Sequence, residues 1–243
     1  MTARFFCPPP IVAGAEIALP SSAAHHAARV LRLRVGDAVT LFDGEGGEYG
    51  AQIARVTPRA VTLRVVERRA IERESPLSIT LVQALVSAER MDYAIQKAVE
   101  LGAAAVAPVA SARSVARLDG GRAHRRVEHW RQIVIAACEQ CGRNRLATVH
   151  PPCGLGEWLR RPSKAGLRLL LAPGATNSLA DLPAPKGAIE LLVGPEGGLA
   201  PDEETAAVDA GCRGVRLGPR ILRTETAGPA MLAAMNALWG DWR

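Results

Sequence analysis

Two phrases near the C-terminus carry the residue types needed to hold a small molecule. Leu191-Leu192-Val193-Gly194-Pro195-Glu196-Gly197-Gly198 is an apolar run that ends in glycine, proline and one carboxylate. Leu217-Gly218-Pro219-Arg220-Ile221-Leu222-Arg223-Thr224-Glu225-Thr226-Ala227 has the same form with two arginines added. Glycine has no Cβ and lets a backbone approach a ligand, while proline sets φ in advance. Two such loops at strand ends, about twenty residues apart, point to one shared pocket. Arg223 can hold a phosphate or stabilise developing negative charge. Glu196 can act as a base, face a positive charge, or accept from loop N–H groups, the commonest fate of a loop carboxylate.

Other chemistry-bearing clusters read as structural. Cys138 and Cys141 have C-x-x-C spacing, but a zinc site needs two more ligands and no second pair exists. They fall in a helical pattern at i and i+3, which favours a buried apolar role. His25-His26 are adjacent and on a helix would point in different directions, which disfavours a shared metal; no metal site is expected. The cluster Asp43-Gly44-Glu45-Gly46-Gly47 lacks G-x-G-x-x-G spacing and a following helix pattern, so it reads as a hairpin turn.

The elements that must position these residues follow from periodicity. Residues 1–70 are β-rich, with strands expected over 38–42, 49–56 and 59–66 around the glycine turn. The segment 67–76 is charged and ends in proline, so domains are expected at 1–72 and 73–243. From residue 77 strands and helices alternate, the signature of an α/β domain. Strands are expected over 77–86, 103–109, 167–172, 188–193 and 214–217. Met91, Ile95, Ala98 and Val99 mark one helix stripe, ended by Gly102. A polar, basic loop is expected over 111–126. It is followed by a helix with Val127, Trp130, Val134, Ala137 and Cys141 on one face, ended by Gly142. Pro201 opens another helix with acidic residues in its first turn. In the last helix Met231, Met235, Leu238 and Trp239 share a face, and Pro229 is expected in the first turn.

Composition bounds the function. The chain has 243 residues, 48% of them hydrophobic, and no apolar run long enough to span a membrane. Its net charge of +6 suits a polyanionic partner. Five cysteines without an export signal fit reduced thiols in the cytoplasm.

Five motifs in order resemble one family. They are the two phrases above; His25-His26-Ala27-Ala28-Arg29-Val30-Leu31-Arg32-Leu33-Arg34-Val35-Gly36-Asp37; Arg90-Met91-Asp92 with Gln96-Lys97-Ala98-Val99-Glu100-Leu101-Gly102; and Ala137-Cys138-Glu139-Gln140-Cys141-Gly142-Arg143. Together they resemble the S-adenosylmethionine-dependent RNA methyltransferases of the SPOUT superfamily. Within it, the closest likeness is to those that methylate N3 of a uridine in small-subunit (16S) ribosomal RNA. The resemblance implies a trefoil-knotted α/β domain preceded by a small PUA-like β-barrel, although topology rules make knots exceptional. It implies that Leu171, Val193, Gly194, Glu196, Gly197, Leu217, Gly218, Ile221 and Leu222 hold S-adenosylmethionine, and that Arg223 and Glu196 serve the chemistry. Arg4, Arg29, Arg32, Arg34, Arg90, Lys97 and Arg143 are expected to meet RNA. A homodimer is implied, acting on 16S ribosomal RNA within the small subunit. Cys141 departs from the family, which usually shows Ser there. A ribose 2′-O-methyltransferase of the same superfamily and a non-catalytic RNA-binding assembly factor are the alternatives.

Overall fold

A computed structural model describes residues 2–57, 60–114 and 120–242. The chain divides into two compact units: Met1–Glu74 with Cys138–Leu146, and Ser75–Ala137 with Ala147–Arg243.

In the first unit, β1 (Ala3–Phe6), β2 (Glu16–Ala18), β3 (Ala38–Phe42), β4 (Glu48–Val56) and β5 (Val61–Arg69) form a mixed sheet in the order β1-β3-β4-β5-β2. The strands β1 and β3 are parallel and the other pairs antiparallel. Strand alternation sends Val61, Leu63 and Val65 of β5 into a core with Phe5, Leu41 and Ile53. The short helix α1 (Ser21–His25) runs on as a π turn, His26–Val30, and buries Ala24 and Ala27 against that core. The glycine cluster links β3 to β4 as a hairpin connection, with Asp43 accepting from the Tyr49 hydroxyl (3.0 Å) and the Glu45 N–H (2.9 Å). The expected strand over 59–66 is observed from Val61; residues 58 and 59 lie outside the described residues.

The segment Cys138–Leu146 is fastened into this unit by buried charge. Arg4 Nη1 and Arg73 Nη1 both donate to Glu48 Oε2 at 2.8 Å, and Arg4 Nη2 donates to Asn144 Oδ1 at 2.6 Å. Arg143 donates to Glu74 Oε2 through Nε (2.9 Å) and Nη2 (2.6 Å), and Asn144 Nδ2 donates to the Ile71 carbonyl at 2.6 Å. The Phe6 N–H donates to Glu139 Oε1 at 3.0 Å. Only 9% of the Arg4 side chain and 5% of the Glu48 side chain is exposed, and Arg143 is 5% exposed. This corrects the sequence expectation for Arg4 and Arg143: both guanidinium groups act inside the protein, because a desolvated cation must be paired. Within the segment, Cys138 is buried, with its thiol directed at the Arg145 carbonyl (3.6 Å), whereas Cys141 is only half-buried, so the burial expected of the pair holds in full for Cys138 alone.

The second unit alternates strands and helices: β6 (Ile79–Ala84), α2 (Ala88–Glu100), β7 (Ala105–Ala110), α3 (Gly120–Cys141), β8 (Thr148–Val149), β9 (Cys153–Gly154), α4 (Leu155–Arg160), β10 (Leu167–Leu171), β11 (Ile189–Val193), α5 (Pro201–Asp209), β12 (Arg213–Val215) and α6 (Thr224–Trp239). Among the described residues the strands make an all-parallel sheet in the order β12-β10-β11-β6-β7-β8, with β9 also on β7. Continuous apolar runs fit strands buried on both faces. The predicted stripe of α2 is buried at Met91, Ile95, Ala98 and Val99, and Gly102 takes φ +83° just beyond the helix.

Two helix starts differ from expectation. The helix α3 begins at Gly120, so 120–126 is helix rather than loop, while 115–119 lie outside the described residues. Charge and glycine masked a helix whose apolar stripe only starts at Val127. The last helix starts at Thr224, with Arg223 as its N-cap residue, which moves Pro229 into the second turn. There it has no N–H to give the Glu225 carbonyl. Met231 and Met235 are fully buried, whereas Leu238 is 43% exposed, so the expected stripe is only partly available to a partner.

Burial by itself would push the Glu48 carboxyl up; the hydrogen bonds and charges of Arg73 and Arg4 outweigh it and hold the group below its ordinary range. A lowered folded-state value contributes stability above the unfolded carboxylate range, and this is lost as pH falls through the folded value. Glu48→Ala should therefore cost about 3 kcal/mol at neutral pH. In urea unfolding, the gap between parent and variant should shrink as the solution is acidified through the Glu48 titration.

Candidate active site

Register places the site. Leu171, the last residue of β10, stands opposite Val193 of β11 on one side and Val215 of β12 on the other. The loops that leave these strands therefore start level at the carboxyl edge of a parallel sheet, where such folds open crevices. Between them lies a cleft of about 500 Å³. Its lining includes Leu171, Val193, Gly194, Glu196, Gly197, Leu217, Gly218, Ile221 and Leu222, every residue expected at a cofactor, together with Arg90 and Arg223. Ile221 lines the cleft yet is 82% exposed, so it stands at the mouth rather than in the wall.

The loops are held by specific bonds. Thr224, first residue of α6, donates its hydroxyl to the Gly194 carbonyl (2.7 Å) and accepts from Gln83 Nε2 (3.0 Å), buried in β6. A Cβ on Gly194 would meet the Leu199 N at 3.3 Å and the Leu199 Cγ at 3.4 Å, so the chain closes on itself there. Gly218 sits at φ +66°, the left-handed region where a side chain is strained. Arg113, from the segment after β7, donates through Nη1 to the Gly197 carbonyl (2.9 Å) and the Leu199 carbonyl (3.2 Å). Next to it, the Ala112 N–H donates to Glu203 Oε1 (2.7 Å) in the first turn of α5.

Charge in the cleft is unevenly compensated. Arg90, from the first turn of α2, donates to Glu196 Oε1 at 2.6 Å and stands 3.6 Å from Glu225 Oε1. Glu225 Oε2 is buried and has no hydrogen-bond partner among the described residues. Arg216, Arg220 and Arg223 are exposed along the third loop and join no ion pair among the described residues. The cleft thus offers apolar walls, close backbone groups, one carboxylate anchored by an arginine, and a rim of available guanidinium groups. That set suits a ligand with a flat apolar part and mixed charge, next to an anionic second ligand.

Other residues expected at RNA lie elsewhere. Arg29, Arg32 and Arg34 are exposed around the π turn of the first unit, with Arg32 at φ +54°. Lys97 pairs with Glu100 at 2.9 Å and lies over the Tyr93 ring at 5.8 Å, outside the cleft lining. Sequence reasoning missed Arg113 and Gln83, which reach the loops from remote positions with no local signal. Thr224, Glu225 and Arg220 fell within a recognised phrase, and their spacing alone carried no role for them. Among the described residues, no group of three or more His, Cys, Asp or Glu could hold a metal ion.

Comparison with known proteins agrees with this geometry. A family model described as an RNA methyltransferase domain matches residues 73–236, and one described as an RNA methyltransferase PUA domain matches residues 19–66. The ribosomal RNA small subunit methyltransferase E of Mycobacterium bovis is 37% identical over 234 residues, covering 94% of this chain and 89% of that protein. The crystal structure of a ribosomal RNA small subunit methyltransferase E from Neisseria gonorrhoeae, bound to S-adenosyl methionine, superposes with a TM-score of 0.94 at 40% identity, covering 100% of both chains. A putative methyltransferase from Legionella pneumophila, also with bound cofactor, gives a TM-score of 0.95 at 36% identity over 99% of each chain.

The Arg113 bonds carry a local prediction. Arg113→Ala removes a charged donor from two carbonyls, so amide hydrogen exchange across 197–199 should rise roughly tenfold. Global unfolding should barely move. Unchanged exchange there would show that the loop holds its shape without Arg113.

Proposed function

The chain belongs to the RNA methyltransferase family, and from that premise we propose that it transfers the methyl group of S-adenosylmethionine to N3 of a uridine in small-subunit ribosomal RNA. The observation that carries this reading is the cleft: the residues expected at the donor line it, and Arg223 stands among them. S-adenosylmethionine supplies a methyl group on a cationic sulfur, suited to in-line displacement, so the protein needs no covalent nucleophile. Leu171, Val193, Leu217 and Leu222 offer the apolar surface an adenine requires, and Gly194, Gly197 and Gly218 let backbone groups come close. Glu196 Oε1 is occupied by Arg90, which leaves its second oxygen to face the donor's positive charge.

The acceptor N3 carries a proton at neutral pH; it passes to solvent water before N3 takes the methyl group and the sulfur–carbon bond breaks to leave a thioether, and its loss puts transient negative charge on the uracil oxygens. Arg223, exposed and at the N-cap of α6, is the group assigned to that charge or to the adjoining phosphate. In the first unit, Arg29, Arg32 and Arg34 are assigned to RNA contact. Arg90 keeps a supporting role, and Lys97 is at most a peripheral contact given its tie to Glu100. The second unit is read as trefoil-knotted. The working form is read as a homodimer, supported by Leu238 and Trp242, 43% and 52% exposed at the C-terminal end. The place of action is the cytoplasm, where ribosomal RNA is modified. No helix among the described residues is long and apolar enough to cross a membrane.

Incubation of the protein with small-subunit ribosomal RNA and S-adenosylmethionine should yield 3-methyluridine on nucleoside analysis. A ribose-methylated product, or none, would contradict the proposal. Gly194→Val should weaken donor binding by at least roughly tenfold in calorimetry with the fold intact, because the added methyls must displace Leu199 backbone. Arg223→Ala should leave donor affinity unchanged and slow single-turnover methylation by roughly 100-fold. Arg223→Lys should recover little of that rate if planar contact matters. Sedimentation should report twice the chain mass.

A further inference from the structure

The first half of α3 carries a basic face on the second unit, and none of it belongs to the cleft. Arg122, Arg125, Arg126 and His129 recur at i, i+3, i+4 and i+7, which puts them on one face of the helix. Val127, Trp130 and Val134 are buried on the other side. Arg122, Arg125 and His129 are exposed and Arg126 is half-buried, its guanidinium lying over the Trp130 ring at 6.0 Å. The single acidic residue of this stretch, Glu128, is paired with Arg131 off the face. Arg125 and Arg126 join no ion pair among the described residues. A merely solvated helix face mixes its signs; this one does not.

The placement of the stripe relates it to the cleft. The helix α2 starts just past the carboxyl end of β6, and β6 lies parallel and in register with β11, so α2 begins at the edge where the cleft opens. The helix α3 runs back from that edge to the parallel strand β8. Asp92 in α2 fixes its level: Asp92 Oδ2 is 2.7 Å from His129 Nε2, and Asp92 Oδ1 accepts from Trp130 Nε1 at 3.2 Å. Two residues before Asp92, Arg90 lines the cleft. The residues of α3 ahead of His129 therefore overhang the cleft edge. At 1.5 Å per residue, Arg122 stands about 10 Å beyond the Asp92 tie.

We propose that this overhang is a second RNA-contacting surface, on which Arg122, Arg125 and Arg126 bind backbone phosphates of the strand whose target nucleotide enters the cleft. The inference rests on the RNA-methyltransferase reading and deepens it by placing substrate contact on α3 of the second unit as well as on the first unit. The occupant is RNA rather than an acidic protein because the stripe lies at the same sheet edge as a cleft whose free rim charges are also arginines, as a polyanion entering that cleft requires. The Asp92 tie and the Trp130 stacking hold the stripe in place before the strand arrives.

The test uses the full chain and a fluorescent transcript of small-subunit ribosomal RNA, titrated over a range of salt. The variant combining Arg122→Gln, Arg125→Gln and Arg126→Gln should bind the transcript at least roughly tenfold more weakly at low salt, and its slope of log affinity against log salt should fall by about 2 to 3. Its affinity for S-adenosylmethionine and its unfolding midpoint should match the parent. The matching triple Lys variant should keep the parent's slope, since charge carries the contact. Parent-like affinity and slope in the Gln variant would overturn the inference while leaving the methylation reading intact. So would a variant that binds the transcript normally and fails only on assembled particles, which would assign the stripe to a protein. A parent that neither binds nor methylates the RNA would overturn both.

Discussion

The site depends on one constraint: the in-register parallel pairing of β10 with both β11 and β12. Leu171 faces Val193 and Val215 at the same level, so the three loops that follow have no choice but to converge. A shift of one residue in either pairing would turn the side chains of that strand to the opposite face and move its loop along the edge. The segments 167–171 and 189–193, apolar but for the paired Arg168 and Glu190, fit this position because both faces of the sheet are covered. Given that alignment, a few tethers finish the cleft: the hydroxyl of Thr224 ties α6 to Gly194, and Arg113 ties the segment after β7 to the glycine loop.

Charge follows a different logic in the two units. In the first, Arg4 and Arg143 turn inward, to Glu48 and Glu74, and anchor a segment distant in the chain. Such pairs gain little over a well-packed apolar contact, yet breaking one is costly, so they specify an arrangement more than they add to its stability. In the second, Arg90 is doubly neutralised, by Glu196 and Glu225, while the arginines of the third loop join no ion pair among the described residues. A guanidinium that is not already paired can meet an incoming anion without first breaking a bond. This distinguishes Arg223 from Arg90 more firmly than their shared position on the rim.

Much of this was legible in the sequence, because the determining signals were local. Alternation in 61–65, the stripe through Met91 and Val99, and the two glycine phrases each declare themselves within a few residues. Most of the cleft residues could be read together because the two phrases that contain them sit at strand ends. What escaped was set by contacts between remote positions. Arg4 and Arg143 look like surface cations until Glu48 and Glu74 are brought beside them. Gln83 and Arg113 have no sequence signature for a role in loops more than eighty residues away. The start of α3 was missed for another reason: its first turns present charge rather than an apolar stripe, so periodicity fell silent where the helix overhangs the sheet.

The central claim is that three level loops at one sheet edge form the donor site of an RNA methyltransferase. Amide NMR of the whole chain, titrated with S-adenosylmethionine, addresses it most directly. The account predicts large shift changes confined to 171–175, 193–199 and 216–224, saturating together at one affinity. Shifts centred on any other part of the sheet or on the first unit, or a spectrum that the compound leaves unchanged, would contradict it.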